Sequence, residues 1–431
     1  MIVRLTVFTI ALACASNNLR AQENSAPSPM PVATPAGITD PAAATRAWLD
    51  TVSQAEKERS DAYFEGGYWL ILWNFVATAA IALFLLTSGL SARIRDLATS
   101  LTSVRTVQVG IYAIGLTLIM GIFSFPLNYY QNFVREHRYG MSNQTFSAWF
   151  GESLNALAVA VIAVPIALAI LYRVFQASER TWWLWGAVVG VILITIGNMA
   201  APVLIEPIFN NYTPLADAKV RDPILALARA NQIPVTQVFV VDQSRQTKRV
   251  SANVSGLAGT TRIALNDNLL KECTLPEVRE VMAHEMGHYV LNHGAKGTAF
   301  LAIFIFIGFG LTALIFNEVI RKYGTAWRVT GIADPAGFPL LMLIFGTYAF
   351  VLTPISNTIG RNIEREADAF AINAAREPDA AAMVALKLGK YRKLDPGPLE
   401  EFIFFDHPSG RSRIRMAMDW KAAELPCGEV K

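Results

Sequence analysis

The sequence predicts an all-α polytopic membrane protein, with about six transmembrane helices, that carries a small α+β domain. Of its 431 residues, 53% are hydrophobic and only 16% are charged, whereas soluble domains contain about 25% charged residues. The mean hydropathy is +0.35, and several apolar runs are long enough to cross a bilayer. The lipid bilayer is therefore an expected partner. The net charge of +3 is small and the basic residues are scattered, so no nucleic-acid partner is expected.

Residues 1–21 have the features of a secretory signal peptide. A lone Arg4 precedes an apolar run that ends at Ala13. This run is too short to span a hydrocarbon core of about 30 Å, so we expect a signal peptide, with an uncleaved anchor as the alternative. Residues 22–66 are expected to form a tether, disordered and rich in Pro, Ala and Ser as far as Ala44, and a pre-membrane segment.

Six apolar runs predict transmembrane helices, and aromatic residues flank several of them, as interfacial anchors do. The runs are Trp69 to Leu90, Val107 to Tyr129, Leu154 to Tyr172, Trp182 to Ile205, Thr298 to Ile320 and Phe338 to Ile359. Residues 67–205 thus form a membrane domain with four spans. Residues 206–431 form a second domain that includes the last two spans.

The charges of the short loops predict the orientation. Loops at 91–105, 173–181 and 321–337 carry eight Lys or Arg residues, whereas the loop at 130–153 on the other side carries two. The basic side is expected to be cytoplasmic. We therefore expect a multi-pass protein of a bacterial-type inner membrane, with the segment 206–297 and the C-terminal tail on the periplasmic side.

Between the fourth and fifth spans the pattern becomes that of a small α+β domain. Residues 215–231 predict a helix and VFVV at 238–241 a strand. Residues 250–255 and 261–265 predict a hairpin that turns at Gly256 to Gly259. In the segment that follows, Thr274 and Glu277 form a capping box and Gly294 stands where a helix would end. One helix is therefore predicted over 275–293.

Three of the chain's five histidines lie in AHEMGHYVLNH, near the end of this predicted helix. His284 and His288 are four residues apart and therefore project from one face, where both imidazoles can bind one metal ion. Glu285 lies about a quarter turn away, where it can take a proton from a water molecule. This H-E-x-x-H arrangement is typical of zinc peptidases. A chance match of two packed helix histidines is the alternative.

A catalytic zinc ion needs a third protein ligand and an open position for water. Just after the sixth span, NTIGRNIEREADAFA at 357–371 offers Glu364, Glu366 and Asp368. Glu364 and Asp368 share a helix face, and Glu366 points elsewhere. Chemistry alone leaves all three as candidate ligands, and a solvated helix face is the alternative.

The chain resembles the type I CAAX prenyl protease family, integral-membrane zinc endopeptidases related to the HtpX membrane proteases. Beyond HEMGH and the E-x-x-A-D segment at Glu364, four stretches are similar to family motifs. These are FVREHRYGMSNQT (133–145), EPIFNNYTPLAD (206–217), SANVSG (251–256) and HPSGRSRI (407–414). The resemblance covers about residues 55–420. It implies a zincin-like metallopeptidase domain with one Zn²⁺ per chain, in a chamber enclosed by the membrane helices.

The resemblance also implies roles for residues around the metal. Glu364 maps onto the third ligand, and Asp368 onto a residue that supports the ligands. Arg413 is expected to hold the HPSGRSRI segment in place, and Arg361 to serve the ligand helix. The histidine at the start of that segment, His407, is expected to donate to the oxyanion that develops during hydrolysis.

The substrate is expected to be a polypeptide, membrane-associated ones included, bound in extended form along an edge strand that contains Ala252 and Asn253. The implied activity is zinc-dependent endopeptidase activity like that of CAAX prenyl proteases. Quality control of envelope proteins, as in the HtpX relatives, and a catalytically silent membrane scaffold or transporter are the alternatives. The order Ala252-Asn253-Val254 and the presence of Ser255 depart from the family's S-N-A-Y pattern. A prenylated substrate is therefore not implied.

Overall fold

The computed structural model describes residues 38–178, 180–255 and 261–425. The signal peptide predicted at 1–21 and the turn predicted at Gly256 to Gly259 lie outside these residues. The helices, in chain order, are α1 (Pro41–Asp50), α2 (Gln54–Thr87), α3 (Leu90–Leu101), α4 (Arg105–Tyr129), α5 (Arg135–Arg138), α6 (Phe146–Ala177), α7 (Trp182–Ala200), α8 (Glu206–Phe209), α9 (Ala218–Ala230), α10 (Asp267–Glu272), α11 (Leu275–Val290), α12 (His293–Trp327), α13 (Phe338–Val351), α14 (Thr353–Ala375), α15 (Pro378–Leu388), α16 (Pro398–Phe404) and α17 (Gly410–Glu424).

The prediction of a multi-pass, mainly helical membrane protein is confirmed. Within the described residues, five helical segments are long and apolar enough to cross a membrane, and there are six if a bent pair of helices counts as one span. The five are α2, α4 with its continuation to Arg138, α6, α7 with its continuation to Phe209, and α12. The helices are longer than the apolar runs because polar turns extend them beyond the hydrocarbon region.

Helix α1 replaces part of the predicted tether. The side chain of Asp40 accepts hydrogen bonds from two backbone N–H groups of the first turn, which is the usual role of an N-cap residue. Trp48 is 1% exposed and belongs to a cluster with Ile414 and Met418 of α17. The disordered segment predicted as far as Ala44 is therefore too long, because burial of Trp48 and its neighbours stabilises a helix there.

The sixth predicted span, Phe338 to Ile359, is bent by 57° between α13 and α14. Pro354 lies in the first turn of α14. A proline has no backbone N–H and clashes with the preceding turn, so it favours a break at this position. Helix α14 continues to Ala375 and packs against α11. The bend thereby brings a helix that begins at a membrane span into contact with the helix that carries His284 and His288.

Residues 212–266 contain a four-stranded sheet. Its strands are β1 (Tyr212–Pro214), β2 (Val238–Val241), β3 (Ala252–Ser255) and β4 (Arg262–Asn266), in the order β1-β2-β4-β3. Strands β2 and β4 are parallel, and the other two pairs are antiparallel. The structure thus contains the predicted strand at 238–241 and the predicted strand pair, whereas β1 was not expected. Strand β3 lies at an edge of the sheet, with Asn253 opposite Ala264 of β4.

The predicted helix over 275–293 ends earlier than expected. Its N-terminus has the expected cap, since the backbone N–H of Thr274 donates to Glu277 at 2.6 Å. However, α11 ends at Val290, and Asn292 has a left-handed conformation with φ of 54°. Asparagine adopts this conformation more readily than most residues. The break therefore falls at Asn292, and both His293 and Gly294 lie in α12 instead.

Candidate metal centre

Two histidines and one glutamate converge at the contact between α11 and α14. The Nε2 atoms of His284 and His288 lie 3.1 Å apart. The Oε2 atom of Glu364 lies 3.2 Å from Nε2 of His284, and its Oε1 atom lies 3.6 Å from Nε2 of His288. Zinc–ligand bonds of about 2.0–2.2 Å give a tetrahedron with edges of roughly 3.3–3.6 Å. The spacing of these three side chains therefore fits a single divalent ion.

Close packing of the two helices produces this convergence. A Cβ atom on Gly287 would lie 3.0 Å from Cδ1 of Phe370 and 3.3 Å from the Cα of Ala367. Only a glycine at 287 lets α14 approach α11 this closely without a shift of Phe370. Since Glu364 lies one turn before Ala367, its carboxylate reaches the two imidazoles on the facing helix.

Asp368 and Arg413 lie against the candidate ligands. The Nδ1 atom of His284 lies 2.9 Å from Oδ1 of Asp368. A carboxylate in this position fixes the orientation of a metal-binding imidazole, with Nε2 directed toward the ion. Arg413, on α17, places Nε 3.0 Å from Oδ2 of Asp368 and Nη2 3.3 Å from Oε2 of Glu364. It therefore links the two carboxylates.

His288 is oriented by His293, for which no active-site role was predicted. Their Nδ1 atoms lie 2.9 Å apart, and the side chain of His293 is buried. Glu366 accepts from Nε2 of His293 at 3.3 Å and pairs with Lys296 at 2.5 Å. Of the three acidic residues considered as ligands, Glu366 thus lies outside the centre, because its helix face is directed toward α12.

Glu285 and Glu280 line the same cavity as the candidate ligands. Burial raises the pKa of the Glu285 carboxyl, which favours its function as a base near neutral pH. Glu280, one turn before His284, is 6% exposed, and its Oε2 atom has no hydrogen-bond partner among the described residues. Burial, together with the charge of Asp368, raises the pKa of Glu280 to about 8.

His407 reaches the centre from the loop between α16 and α17. Its Nε2 atom lies 3.3 Å from Oε2 of Glu364, and its Nδ1 atom lies 2.8 Å from Oδ1 of Asp406. Burial and the charge of Arg392 lower the pKa of His407, while the hydrogen bond to Asp406 opposes this change. An imidazole that faces a carboxylate at each nitrogen donates from both nitrogens when it is protonated.

Arg361 fixes the position of this loop and does not contact the candidate ligands. Its guanidinium donates to the backbone carbonyl of Glu401 at 2.7 Å and also to that of Phe405. One turn of α14 away from Glu364, Gly360 lets the loop approach, because a Cβ there would lie 3.0 Å from the carbonyl oxygen of Asp406. Arg361 thus joins the helix that carries Glu364 to the loop that carries His407.

Ala252 and Asn253 lie beside this centre on the edge strand β3, and both line the cavity. The cavity has a volume of about 3180 Å³ and is bounded by the membrane helices as well as by the candidate metal ligands. A chamber of this kind was implied by the family resemblance. An extended peptide inside it can pair with the free edge of β3 and reach the cluster.

Four residues near the centre received no role in the prediction: Glu280, His293, Arg392 and Asp406. Glu280 and His293 carried a detectable signal, because polar residues on an otherwise buried helix face are uncommon. Arg392 and Asp406 lie in loops, where charged residues are ordinary. Their importance depends on which charged groups they face, and this depends on contacts distant in sequence.

Comparisons with known proteins agree with this architecture. The profile of peptidase family M48 matches residues 214–421. A second profile, described as the N-terminal part of CAAX prenyl proteases with five membrane helices, matches residues 41–211. Four of the membrane-length helices of this chain lie in the second match.

Individual relatives cover most of the chain. The metalloprotease YhfN of Bacillus subtilis is 28% identical over 335 residues, which is 77% of this chain and 78% of the relative. CAAX prenyl protease 1 of Saccharomyces cerevisiae is 29% identical over 337 residues, 74% of this chain and 73% of the relative. The homologue of this protease in Arabidopsis thaliana is 29% identical over 309 residues, 68% and 69% of the two chains.

A solved structure shows the same fold. The crystal structure of S. mikatae Ste24p superposes with a TM-score of 0.69 at 22% identity and covers 88% of this chain and 95% of its own. Together with the two family profiles, this fold indicates a membrane metalloprotease. The chain belongs to peptidase family M48, among the membrane metalloproteases that include the CAAX prenyl proteases.

Proposed function

We propose that this protein is a zinc-dependent endopeptidase in which His284, His288 and Glu364 bind one Zn²⁺. The observation that supports this proposal most directly is the convergence of one ligand atom from each residue within 4.8 Å of the others. Two imidazoles and one carboxylate are a common ligand set for catalytic zinc, with one position left open. When bound, the metal would lower the pKa of a water molecule and polarise the carbonyl of the scissile bond.

Glu285 is the proposed general base. It accepts a proton from the attacking water and then delivers this proton to the leaving amine of the cleaved peptide bond. The raised pKa of its buried carboxyl is consistent with both transfers. His407 donates from Nε2 to the oxygen on which negative charge develops; this charge favours the protonated imidazole that the donation requires, against the lowered pKa of the free enzyme. Asp406 holds the imidazole in place through Nδ1.

The substrate is proposed to be a polypeptide that lies along β3. Main-chain groups of Ala252 and Asn253 would bind its backbone, as in other complexes in which a peptide adds a strand to a sheet. Asp368 and Arg413 maintain the geometry of the ligands, and Arg361 positions the His407 loop. The printed names of several relatives, CAAX prenyl protease 1, support a CAAX-prenyl-protease-like activity on membrane-associated substrates.

We place the protein in a bacterial-type inner membrane with the catalytic residues on the periplasmic side. The support is the excess of Lys and Arg in the three loops at 91–105, 173–181 and 321–337. Residues 67–205 would form the membrane domain, and residues 206–431 the peptidase domain with its last two spans.

The test uses full-length protein in lipid vesicles and the Glu285→Gln variant. Elemental analysis should find one zinc ion per chain in both proteins. Only the wild type should cleave peptides, because the variant lacks a base; general bases contribute about 10²–10⁴-fold to rate. A folded wild-type protein without bound zinc, or a Glu285→Gln variant with full activity, would contradict the proposal.

A further inference from the structure

Arginine is the only strongly basic residue type that lines the cavity in the described part of the chain. The four are Arg135, Arg249, Arg392 and Arg413. Arg135 and Arg249 pair with Glu136, at 3.6 and 2.6 Å. Arg413 pairs with Asp368 and Glu364. The guanidinium of Arg392 forms no ion pair or hydrogen bond with any described residue.

The backbone at Arg392 is held in place on two sides. The hydroxyl of Ser60, on α2, donates to the carbonyl oxygen of Arg392 at 3.1 Å. Two residues later, the carbonyl of Leu394 accepts from the backbone N–H of Arg411 at 2.8 Å. The neighbouring Lys393 has its own partners, Glu65 and Glu400. The backbone of Arg392 is therefore held in place. Unlike Lys393 beside it, its guanidinium has no ion-pair partner among the described residues.

The charge of Arg392 acts on the catalytic cluster. It is the largest electrostatic influence on His407 and lowers the pKa of that imidazole. Burial, and then the charge of Arg413, lower the pKa of Arg392 itself. A guanidinium remains protonated even when its pKa falls moderately. The cavity thus contains a desolvated positive charge near His407, which Asp406 and Glu364 offset only in part and without a direct ion pair or hydrogen bond.

We propose that Arg392 binds a carboxylate of the polypeptide substrate inside the cavity and selects for substrates that carry one there. This inference rests on the proposed endopeptidase function. The anionic groups of an unmodified polypeptide are its C-terminal carboxylate and its Asp and Glu side chains, and a guanidinium binds either with two parallel hydrogen bonds. Such a bond gives the guanidinium the direct hydrogen-bonded partner that it lacks among the described residues.

The experiment measures kcat/KM for four versions of one peptide that the wild type cleaves. The peptide carries either a C-terminal carboxylate or an amide, and either Glu or Gln at one internal position. The wild type should prefer one carboxylate version over its neutral counterpart by about tenfold to a hundredfold, the usual range for a charged hydrogen bond. The arm that shows this preference identifies the source of the carboxylate.

Arg392→Met should bring this ratio close to one, and Arg392→Lys should retain part of it, because a lysine keeps the charge but not the planar fork. Arg411→Met is the matched control, since Arg411 is exposed, pairs with Asp395 and does not line the cavity. It should keep the wild-type ratio. Zinc content and thermal unfolding show whether each variant is folded. If Arg392→Met does not fold, the ratio measured for Arg392→Lys tests the inference instead.

Equal rates of the wild type on all four peptides would overturn the inference, as would an unchanged ratio in Arg392→Met. Either result leaves the endopeptidase proposal intact, because hydrolysis is then observed. A wild-type protein that binds zinc but cleaves no peptide would instead overturn the endopeptidase proposal and this inference with it.

Discussion

The Nδ1 atom of His284 lies 2.9 Å from Oδ1 of Asp368, four residues after Glu364 on α14. One helix thus supplies both a candidate metal ligand and the acceptor that orients a second ligand on another helix. A displacement of α14 relative to α11 would alter both at once. The ligand geometry therefore depends on how these two helices pack.

Asp368→Ala is expected to weaken zinc binding without abolishing it. Loss of a carboxylate that orients a metal-binding histidine lowers metal affinity by about 10–100-fold. Competition with a chelator of known affinity measures this change. Asp419→Ala is the control, because Asp419 is half-exposed on α17 and pairs only with Arg415 at the surface. Equal affinities for all three proteins would show that Asp368 has no such role.

Glu364→Ala should lose zinc, whereas Glu366→Ala should retain it. Glu364 is buried beside both histidines, while Glu366 is half-exposed and pairs with Lys296. Both variants replace a glutamate by alanine, at positions two residues apart on the same helix. Elemental analysis of the two therefore separates the loss of a ligand from the loss of a glutamate that is not a ligand. Zinc retained by the first variant and lost by the second would mean that Glu366 is the ligand.

Gly287→Ala is expected to destabilise the protein and to weaken zinc binding. The added methyl group would lie 3.0 Å from Cδ1 of Phe370 and 3.3 Å from the backbone of Ala367, and overpacking of this kind costs about 1–3 kcal/mol. The matched control is Gly294→Ala in α12, where no atom lies within 4 Å. Thermal unfolding and zinc titration compare the two. A stable, zinc-replete Gly287→Ala protein would contradict the close packing.

Glu280 makes stability depend on pH. In the folded protein its pKa is about 8, above the ordinary value of 4.5. Below pH 4.5 the carboxyl is therefore protonated in both the folded and the unfolded protein. As the pH rises from 4.5 toward about 8, the unfolded form ionises while the folded form does not. The free energy of unfolding therefore falls by up to a few kcal/mol across this window and levels off above it.

Glu280→Gln removes this ionisation. Its unfolding temperature relative to the wild type should increase from about pH 5 to about pH 8. Thermal unfolding of both proteins at a series of pH values measures the difference. A difference that stays constant over the series would show that Glu280 ionises normally in the folded protein.

The predicted orientation can be tested with a reporter that is active only in the periplasm. Fusion after Lys431 should give activity, because the tail follows the sixth span on the side opposite the basic loops. A fusion in the loop at 173–181 should be silent and serves as the control. Activity in the second fusion alone would invert the topology.

Local patterns predicted much of the fold. The spans, strand β2, the pairing of β3 with β4 and the cap of α11 each follow from residues that are neighbours in sequence. The predicted end of α11 was wrong because Asn292 and Gly294 can both end a helix. Which of them does so depends on how α12 packs. The bend before α14 was missed because apolar composition continues through Pro354.

The candidate centre was predictable only in part. His284, Glu285 and His288 lie within one helical turn, so their shared surface follows from helix geometry alone. The choice of Glu364 over Glu366 required the resemblance to a known family, because it depends on which face of α14 meets α11. The orientation of His288 by His293 requires the break at Asn292, and the unpartnered charge of Arg392 depends on contacts between distant segments.

The 57° bend between α13 and α14 has a consequence for the lipid environment. A span that is too long for its bilayer tilts to match the hydrocarbon thickness, and one that is too short thins the bilayer around it. Since α13 leads directly into the helix that carries Glu364, we expect a change of its tilt to shift that carboxylate relative to the two histidines. Zinc affinity should therefore differ between vesicles of short-chain and long-chain lipids.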